Sequence, residues 1–349
     1  METKHTNIAV TIQTLLENKK VFVFFKKPNS TGVNLIIQKD IHLYTTTSYD
    51  ESGFVFAPFD SREKTILFPK AQSDYSIFKL LNKKEIELNK NQVDSTGKAK
   101  YVTLLRKAIA FIKVGNADKI VLSRLLNKSY NKETIGLVYE SLLQAYPTAY
   151  VYIWHHPKVG LWMGATPEKL LEMHDGKFST MSLAGTQLFT DAIEWETKEK
   201  EEQKWVTSFI RKQLKPIVTE LEISESFTKK AGHLAHICTE IKGELFADFG
   251  IKDLVFSLHP TPAVCGTPRT IATAFILENE GYNRAFYTGF LGEVNQESKT
   301  ELYVNLRCMQ LSNGKAKLYV GGGITKDSLA EKEWEETVVK SAVLGQSLE

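Results

Sequence analysis

The chain has 349 residues, of which 42% are hydrophobic, a length that permits one large domain or two. Its 44 basic and 41 acidic residues give a formal net charge of +3. This near balance argues against a protein that binds nucleic acid or an anionic membrane, although a local basic cluster could still bind a small anion.

The cysteines and the N-terminus indicate the cellular compartment. Cys238, Cys265 and Cys308 lie far apart and form no CxxC pair, so reduced thiols are expected. Residues 1–6 lack a basic segment followed by an apolar run, so no signal peptide is expected. No stretch approaches the roughly 18 apolar residues of a membrane helix. We therefore predict a cytoplasmic globular protein that makes no membrane contact.

The first 97 residues are predicted to be rich in β-structure. The apolar spacing predicts an amphipathic helix over 6–17. Short apolar or alternating runs between Gly, Asn, Asp and Ser predict five strands, at 21–25, 33–37, 42–46, 54–58 and 65–69. Residues 82–100 are polar and rich in lysine, which predicts a solvated connector.

The middle of the chain alternates between helical and strand patterns. Val102, Leu105, Ile109 and Ile112 have a helical period, which predicts a helix over 101–114. The other predicted elements are strands at 119–124, 149–154 and 161–164, a helix at 134–145, a hairpin at 170–183 and a helix at 197–221.

The last third begins with His259-Pro260-Thr261-Pro262, which predicts a rigid, extended segment. Pro268 suits the start of a helix that runs to Glu280. Strands are predicted at 286–293, 301–311 and 315–320. Gly321–Gly323 are predicted to form a turn that leads to the C-terminal helix.

The order of these elements predicts the fold class. Helices are inserted between strands, but many strands follow one another through short turns. This favours an α+β fold with large, mostly antiparallel or mixed sheets and helices packed on the outside, rather than a doubly wound parallel sheet. Residues 1–97 and 98–349 are predicted to form one compact domain together.

The C-terminal helix carries the first candidate site. Glu333, Glu336 and Lys340 are spaced i, i+3, i+7 and so share one face. Beside glycines whose N–H groups can be approached closely, they suit a divalent cation and an anionic ligand. A solvated helix face is an equally good interpretation of the helix alone. The glycines do not have GxGxxG spacing, which argues against a dinucleotide site.

Five other polar residues are weak candidates when each is considered alone. Lys119, at the start of a strand, would ordinarily be solvated, and Glu202 lies in a charged run. Glu168 follows a tight turn, where carboxylates are mostly exposed or capping. His236 could be a core histidine, since no zinc motif surrounds it. Arg307 could bind an anion or form a cross-strand salt bridge.

Taken in sequence order, nine short motifs resemble the chorismate-utilising enzyme family, which includes the isochorismate, salicylate, anthranilate and aminodeoxychorismate synthases. The motifs are Lys119-Ile-Val-Leu-Ser-Arg124, Gly164-Ala-Thr-Pro-Glu168, Leu183-Ala-Gly185-Thr186, Thr197-Lys-Glu-Lys-Glu-Glu202, His236-Ile-Cys-Thr239, Leu258-His-Pro-Thr-Pro-Ala263, Leu306-Arg307-Cys308, Gly321-Gly-Gly-Ile324 and Glu333-Trp-Glu-Glu336-Thr-x-x-Lys340. The resemblance covers roughly residues 98–349 and implies the chorismate-binding enzyme fold, with a catalytic core there and extra strands in residues 1–97.

The resemblance implies Mg²⁺ as cofactor and chorismate, a compact dianion, as substrate. Glu202 and Glu336 resemble the carboxylates that bind Mg²⁺. Glu333 resembles a carboxylate that binds the ion through water or supports the direct ligands. Arg307, Lys340 and the N–H groups near Gly321, Gly322 and Gly323 resemble the clamp for the enolpyruvyl carboxylate. The other substrate-binding positions implied by the motifs are Gly185, Thr186, His236, Ala263 and Val264.

Two residues would carry out the chemistry in this family. Lys119 resembles the lysine that activates water for attack at ring C2, and it must be neutral to do so. Glu168 resembles the general acid that protonates the leaving 4-hydroxyl. It must be partly protonated near neutral pH, which burial can achieve. The product would be isochorismate, which feeds menaquinone or siderophore biosynthesis.

The choice of reaction within the family rests on single positions. Lys119 argues against an anthranilate synthase, which usually has glutamine there, and Ala184 argues against an aminodeoxychorismate synthase. The segment from His259 to Val264 favours an isochorismate synthase over a salicylate synthase, which remains the alternative. A chorismate-binding protein without turnover is a third hypothesis, against which the acid–base pair argues.

The chain lacks a glutamine amidotransferase segment, so no such subunit is expected, and we predict a monomer. Three positions depart from the family pattern. Gln203 replaces a histidine, Glu199 replaces an aspartate and Val264 replaces a leucine. These departures concern the positioning of the substrate rather than the metal or the acid–base pair.

Overall fold

The structure is a computed structural model that describes residues 3–4, 7–80, 97–190, 192–231, 234–345 and 348. Within these residues the helices are α1 Ile8–Glu17, α2 Lys98–Lys113, α3 Ile135–Ala145, α4 Thr197–Leu214, α5 Ile251–Leu258, α6 Arg269–Asn279 and α7 Ala330–Gly345. The strands are β1 Thr3–Lys4, β2 Phe22–Lys26, β3 Gly32–Gln38, β4 Tyr44–Thr46, β5 Gly53–Ala57, β6 Thr65–Pro69, β7 Ser73–Lys79, β8 Lys119–Ser129, β9 Tyr150–His156, β10 Gly160–Thr166, β11 Lys169–His174, β12 Lys177–Leu188, β13 Val218–Ile223, β14 Phe227–Ala231, β15 Leu234–Leu245, β16 Gly266–Thr267, β17 Phe290–Gln296, β18 Lys299–Val304, β19 Cys308–Ser312 and β20 Lys315–Ile324.

The strands form two large sheets. Sheet 1 has the order β1-β7-β3-β2-β9-β10-β19-β20-β8-β16. Sheet 2 has the order β13-β15-β12-β11-β18-β17-β5-β6-β4, and β14 also pairs with β15. The β1–β7 pair is parallel, and the other described pairs are antiparallel. This arrangement agrees with the short turns that the sequence predicts between successive strands.

The two sheets face each other across an aromatic core. The ring of Phe56 from sheet 2 lies 4.5 Å from the ring of Trp154 in sheet 1, measured between centroids. Trp162 and Tyr319, both from sheet 1, stack at 5.4 Å. Helices α1 and α3 pack on the outside of sheet 1, and α4 and α5 pack on the outside of sheet 2. The predicted α+β class, with helices on the outside, is confirmed.

The N-terminal strands extend both sheets. Strands β2, β3 and β7 belong to sheet 1, whereas β4, β5 and β6 belong to sheet 2. The division at residue 97 stays a prediction. Residues 82–96 of the predicted connector lie outside the described residues, and α2 begins at Lys98 within the range assigned to that connector.

Several predicted boundaries were wrong. The helix predicted over 197–221 ends at Leu214, because Pro216 has no N–H to continue it, and β13 follows. The strand predicted at 286–293 begins only at Phe290. Helix α5 and strand β7 were not predicted. The predicted extended segment after α5 bends into a turn, in which Val264 donates its N–H to Thr261 O at 3.1 Å.

Gly321–Gly323 form no turn, which corrects another prediction. They continue β20, where they face Ser123, Leu122 and Val121 of β8. A Cβ atom on Gly321 would lie 2.5 Å from Leu122 O, so the close approach of the two strands requires glycine there.

Two of the points at which the chain crosses between the sheets are neighbours in the fold. The chain leaves sheet 1 after β10 and enters sheet 2 at β11, passing through Glu168. It returns from β18 to β19 through Arg307, whose φ is 47°, so the strand predicted at 301–311 is two strands. The crossings are joined by hydrogen bonds from Val304 N to Glu168 O (2.9 Å) and from Ala165 N to Arg307 O (3.1 Å).

All three cysteines are buried free thiols, as predicted. None of the helices in the described ranges combines the length and the apolar character needed to cross a membrane.

Candidate active site

A cavity of about 210 Å³ lies beside the crossings at Glu168 and Arg307. Thirteen of the fifteen predicted site residues line it, namely Glu168, Gly185, Glu202, His236, Ala263, Val264, Arg307, Gly321, Gly322, Gly323, Glu333, Glu336 and Lys340. Thr186 lies in β12 next to Gly185. Lys119 lies behind the wall rather than on it. The fold therefore brings together residues that are up to 172 positions apart between Glu168 and Lys340.

Glu168 is a buried carboxyl group in the wall of the cavity. Its residue is only 6% exposed. Burial raises the pKa of Glu168 to about 7, although the positive charges of Lys119, Lys229 and Arg307 act in the opposite direction. A carboxyl group with this pKa is partly protonated at neutral pH, which is what a general acid requires.

Lys119 begins β8 and is 1% exposed. Its Nζ lies 2.5 Å from Glu202 Oε1, so the predicted base is ion-paired to a predicted metal ligand. Gly323 makes this pairing possible, because a Cβ atom there would lie 2.7 Å from Lys119 Cε and 3.3 Å from Glu202 Oε1. The glycine therefore creates the space in which the lysine and the carboxylate meet.

Helix α7 packs along β20 and presents a second pair of carboxylates. Glu333 accepts a hydrogen bond from Ser328 Oγ at 2.6 Å, and Glu336 is paired with Lys340 at 2.6 Å. A Cβ atom on Gly322 would lie 3.6 Å from an oxygen of each carboxylate. The helical spacing that the sequence shows does place these side chains on one wall of the cavity.

Helix α4 contributes the opposing acidic residues. Glu199 and Glu202 line the cavity one helical turn apart, and Glu199 Oε2 is buried with no hydrogen-bond partner among the described residues. Gln203 points elsewhere. Its Nε2 donates to Ser182 Oγ at 2.8 Å and to Thr239 Oγ1 at 2.9 Å, and so joins α4 to sheet 2. The departure at Gln203 therefore affects packing, whereas the one at Glu199 reaches the cavity.

These carboxylates fit a divalent cation that keeps much of its water. Among the described residues, no group of three or more His, Cys, Asp or Glu side chains could hold a metal by itself. Mg²⁺ is commonly bound by one or two carboxylates, with water and substrate oxygens completing its six ligands. Glu199 Oε2, which has no hydrogen-bond partner in the described part of the chain, and the glycine-lined space beside Glu202 and Glu336 agree with that mode of binding.

A β-bulge places the histidine. Gly185 and Thr186 of β12 together oppose His236 of β15, and Gly185 has a φ of 62° that favours glycine. His236 Nδ1 donates to Gly185 O at 2.8 Å, which leaves Nε2 as an acceptor, 3.5 Å from Arg307 Nη2. Burial lowers the pKa of His236 to about 4, so the ring is neutral. It can accept a hydrogen bond beside the arginine.

The edge of β20 offers backbone donors. Facing residues of an antiparallel pair alternate between hydrogen-bonded and non-hydrogen-bonded positions. Tyr130, which follows β8, donates its N–H to Gly314 O at 3.0 Å, so these two residues form a hydrogen-bonded pair. Gly321 and Gly323 are an odd number of residues from Gly314 and therefore occupy non-hydrogen-bonded positions, where their N–H and C=O groups point away from β8. Strand β19 pairs with β20 only as far as Leu318. The two amides can therefore donate to an anion, while Gly321 O accepts from Lys340 Nζ at 3.2 Å.

Some lining residues were not predicted from the sequence. Tyr287 and Thr288 line the cavity from the turn before β17, and Ser341 lines it from α7. Because a strand was predicted at 286–293, no sequence signal marked Tyr287 and Thr288 as residues of a turn beside a site. Ser341 follows Lys340 by one position, so the helical pattern does not place it on the same face.

Comparisons with known proteins agree with the motifs. A family model described as chorismate binding enzyme matches residues 59–349. The chain is 29% identical over 252 residues to the salicylate biosynthesis isochorismate synthase of Pseudomonas aeruginosa. It is 30% identical over 257 residues to the isochorismate synthase EntC of Escherichia coli K12. Each match covers 69% of this chain, and the matches span 53% and 65% of the two relatives.

The fold has a solved counterpart. MenF, the menaquinone-specific isochorismate synthase from Escherichia coli, superposes with a TM-score of 0.78 at 20% identity, over 94% of this chain and 89% of that one. At this identity the likeness concerns the fold. The family model, by contrast, matches well over half of the sequence, and the chain therefore belongs to the chorismate-binding enzyme family.

Proposed function

We propose that this protein is an isochorismate synthase that converts chorismate to isochorismate with Mg²⁺. The observation that carries the proposal is Glu168. It is a buried carboxyl group with a pKa of about 7, in the wall of a cavity that also contains cationic and acidic clusters. A protein that only binds chorismate has no need of a carboxylic acid that is protonated near neutral pH.

The substrate would be held by its two carboxylates. Arg307 and the N–H groups of Gly321 and Gly323 face the cavity and suit the enolpyruvyl carboxylate, and Lys340 lies beside them. Glu202 and Glu336 would hold Mg²⁺, with Glu333 and Glu199 behind them. When bound, the ion would neutralise the repulsion between these carboxylates and the ring carboxylate of the substrate.

We assign the acid–base steps to the two residues that the family motifs single out. Lys119 accepts a proton from water as the water oxygen bonds to C2 of the ring. The ring double bonds shift, the C4–O bond breaks, and Glu168 gives its proton to the leaving hydroxyl, which departs as water. Lys119 reaches the cavity only if it leaves Glu202, whose Oε1 it contacts at 2.5 Å. A cation on Glu202 would compete with the lysine for that oxygen.

The names of the relatives support isochorismate as the product. Both the Pseudomonas aeruginosa and the Escherichia coli relatives are named as isochorismate synthases. The residues that would border the ring, Ala263 and Val264, lie in the turn after α5 and are part of the same motif. It stays a prediction that the product enters menaquinone or siderophore biosynthesis. The same holds for the prediction of a cytoplasmic monomer without an amidotransferase subunit.

The test is to incubate the protein with chorismate and Mg²⁺ and to separate the products by chromatography. Isochorismate alone is the expected result, and turnover should stop when EDTA is added. Salicylate together with pyruvate would show a salicylate synthase instead. Unchanged chorismate would refute the proposal.

A matched pair of variants links turnover to the cavity. Glu168→Gln should lower kcat by at least 100-fold, because an amide cannot deliver the proton. Glu172→Gln, on β11 only four positions away, should keep the activity, since Glu172 pairs with Lys299 at 2.8 Å outside the cavity.

A further inference from the structure

A lysine that the sequence motifs do not include faces the same region as the histidine. Lys229 lies on β14, directly opposite His236 of β15. Side chains of directly opposed residues in an antiparallel pair lie on the same face of the sheet. His236 lines the cavity, so Lys229 is on the cavity face of the sheet, one strand further out.

The neighbours of Lys229 point to the other face. Lys230 lies with its ammonium 4.2 Å from the centre of the Phe189 ring, and Thr228 Oγ1 accepts a hydrogen bond from Trp195 Nε1 at 2.9 Å. Strand alternation thus gives two adjacent lysines opposite orientations. One of them packs on the loop after β12, and the other faces the active site.

The ammonium of Lys229 has a weak partner. Its Nζ lies 3.3 Å from Met181 Sδ, a poor acceptor, and within the described part of the chain no carboxylate forms an ion pair with it. The side chain is partly buried, so water screens its charge less than on an open surface. Its field can therefore act on nearby groups that titrate.

The positive charge of Lys229 affects the pKa of two cavity residues. Burial is the main influence on the pKa of Glu168, and Lys229 opposes it together with Lys119 and Arg307. Burial also lowers the pKa of His236, and Lys229 adds to that effect together with Arg307 and Lys340. The Cys238 thiol, on the strand next to Lys229, interacts with both Lys229 and Glu168.

We propose that Lys229 is a positioning residue that stabilises the Glu168 carboxylate after proton donation and thereby sets the upper pH limit of turnover. The proposal rests on the assigned role of Glu168 as the acid. Turnover falls as pH rises and Glu168 loses its proton. Removal of the lysine charge makes the carboxylate less stable, so Glu168 keeps its proton to higher pH.

Three variants test this role. Lys229→Gln should move the alkaline limb of the kcat profile upward by about 0.5 to 1 pH unit, the order of magnitude expected for the loss of one partly screened cation. Lys229→Arg should leave the limb in place, because the charge remains. Lys230→Gln is the matched control, one residue along the same strand but on the other face, and should not shift it. An unmoved limb in Lys229→Gln, or an equal shift in Lys230→Gln, would overturn the proposal.

A second measurement separates this proposal from the proposed function. In protein labelled with ¹³C at the glutamate carboxyl carbon, the signal absent from Glu168→Gln identifies Glu168, and its titration can be followed without substrate. Lys229→Gln should shift that titration upward, and Lys230→Gln should not. If the protein does not consume chorismate but the shift occurs, only the reaction has been misassigned. If chorismate is consumed and neither the limb nor the titration shifts, Lys229 has no such role.

Discussion

Glu168 should make the folded protein less stable at neutral and alkaline pH. The residue is 6% exposed, and burial raises its pKa from 4.5 to about 7. In the unfolded chain the carboxyl loses its proton near its ordinary pKa. The folded state therefore binds this proton more tightly than the unfolded state does, and replacing Glu168 by Gln should remove the associated pH dependence.

The sign and size of the effect follow from linkage. The contribution of Glu168 to the free energy of unfolding is fully present below pH 4.5 and is lost as pH rises from 4.5 to about 7. At about 1.4 kcal/mol for each pH unit, the interval gives about 3 kcal/mol. The free energy of unfolding of Glu168→Gln, relative to wild type, should therefore increase by about 3 kcal/mol between pH 4.5 and pH 8.

Urea unfolding at pH 4.5, 6 and 8, in buffer with EDTA, measures this difference. Glu172→Gln is the control, since the pKa of Glu172 is shifted in the opposite direction. Burial alone would raise the pKa of Glu172, but hydrogen bonds from Lys169 and Lys299 lower it, so this carboxylate stabilises the fold at high pH. Because the pKa of Glu172 is lowered to about 2, its stabilisation is lost only as pH falls from about 4.5 towards 2, and the difference between Glu172→Gln and wild type should stay nearly constant from pH 4.5 to pH 8. A difference between Glu168→Gln and wild type that does not change with pH would refute the reasoning.

Three other outcomes are expected. Lys119→Ala should abolish turnover while isothermal calorimetry still detects chorismate binding with Mg²⁺, and full activity would exclude this lysine as the base. Arg284→Met should lower the free energy of unfolding by about 3–5 kcal/mol, because it leaves Glu280, its 2.5 Å ion-pair partner, as an unpaired buried charge. The double variant Arg284→Met/Glu280→Gln should recover part of this loss. A double variant whose loss is the sum of the two single losses would contradict the reasoning. Gly323→Ala should reduce kcat at least tenfold, because the new methyl group displaces Lys119. Gly322→Ala is the neighbouring control, since its new methyl group has no contact closer than 3.6 Å. Its free energy of unfolding in urea should lie within about 0.5 kcal/mol of the wild-type value.

Local patterns in the sequence predicted most of the elements but not their ends. The helix spacing of Glu333, Glu336 and Lys340 was sufficient to place them on one face, because α-helical geometry depends on nearby residues alone. The glycines before them were misassigned to a turn. Glycine marks close backbone approach as well as turns, and only the pairing of β20 with β8 distinguishes the two.

Arg307 illustrates a different limit. Its sequence alternates like one continuous strand, but the chain changes sheets there with a φ of 47°. Which sheet a strand joins depends on partners that are distant in sequence, such as β11 for β18 and β10 for β19. Alternation of apolar residues is the same for either partner, so the sequence pattern contains no signal for the crossing.

Nine motifs in order identified the family, and with it the expected acid, base and metal ligands. The environment of each of these residues arises only in the folded chain. The tertiary structure showed Glu168 to be buried enough to hold a proton near neutral pH, Lys119 to be paired with Glu202, and Lys229 to face the cavity while Lys230 does not. The physical reason is that residue type and spacing are local properties, whereas burial and the field of neighbouring charges arise only when distant segments pack together.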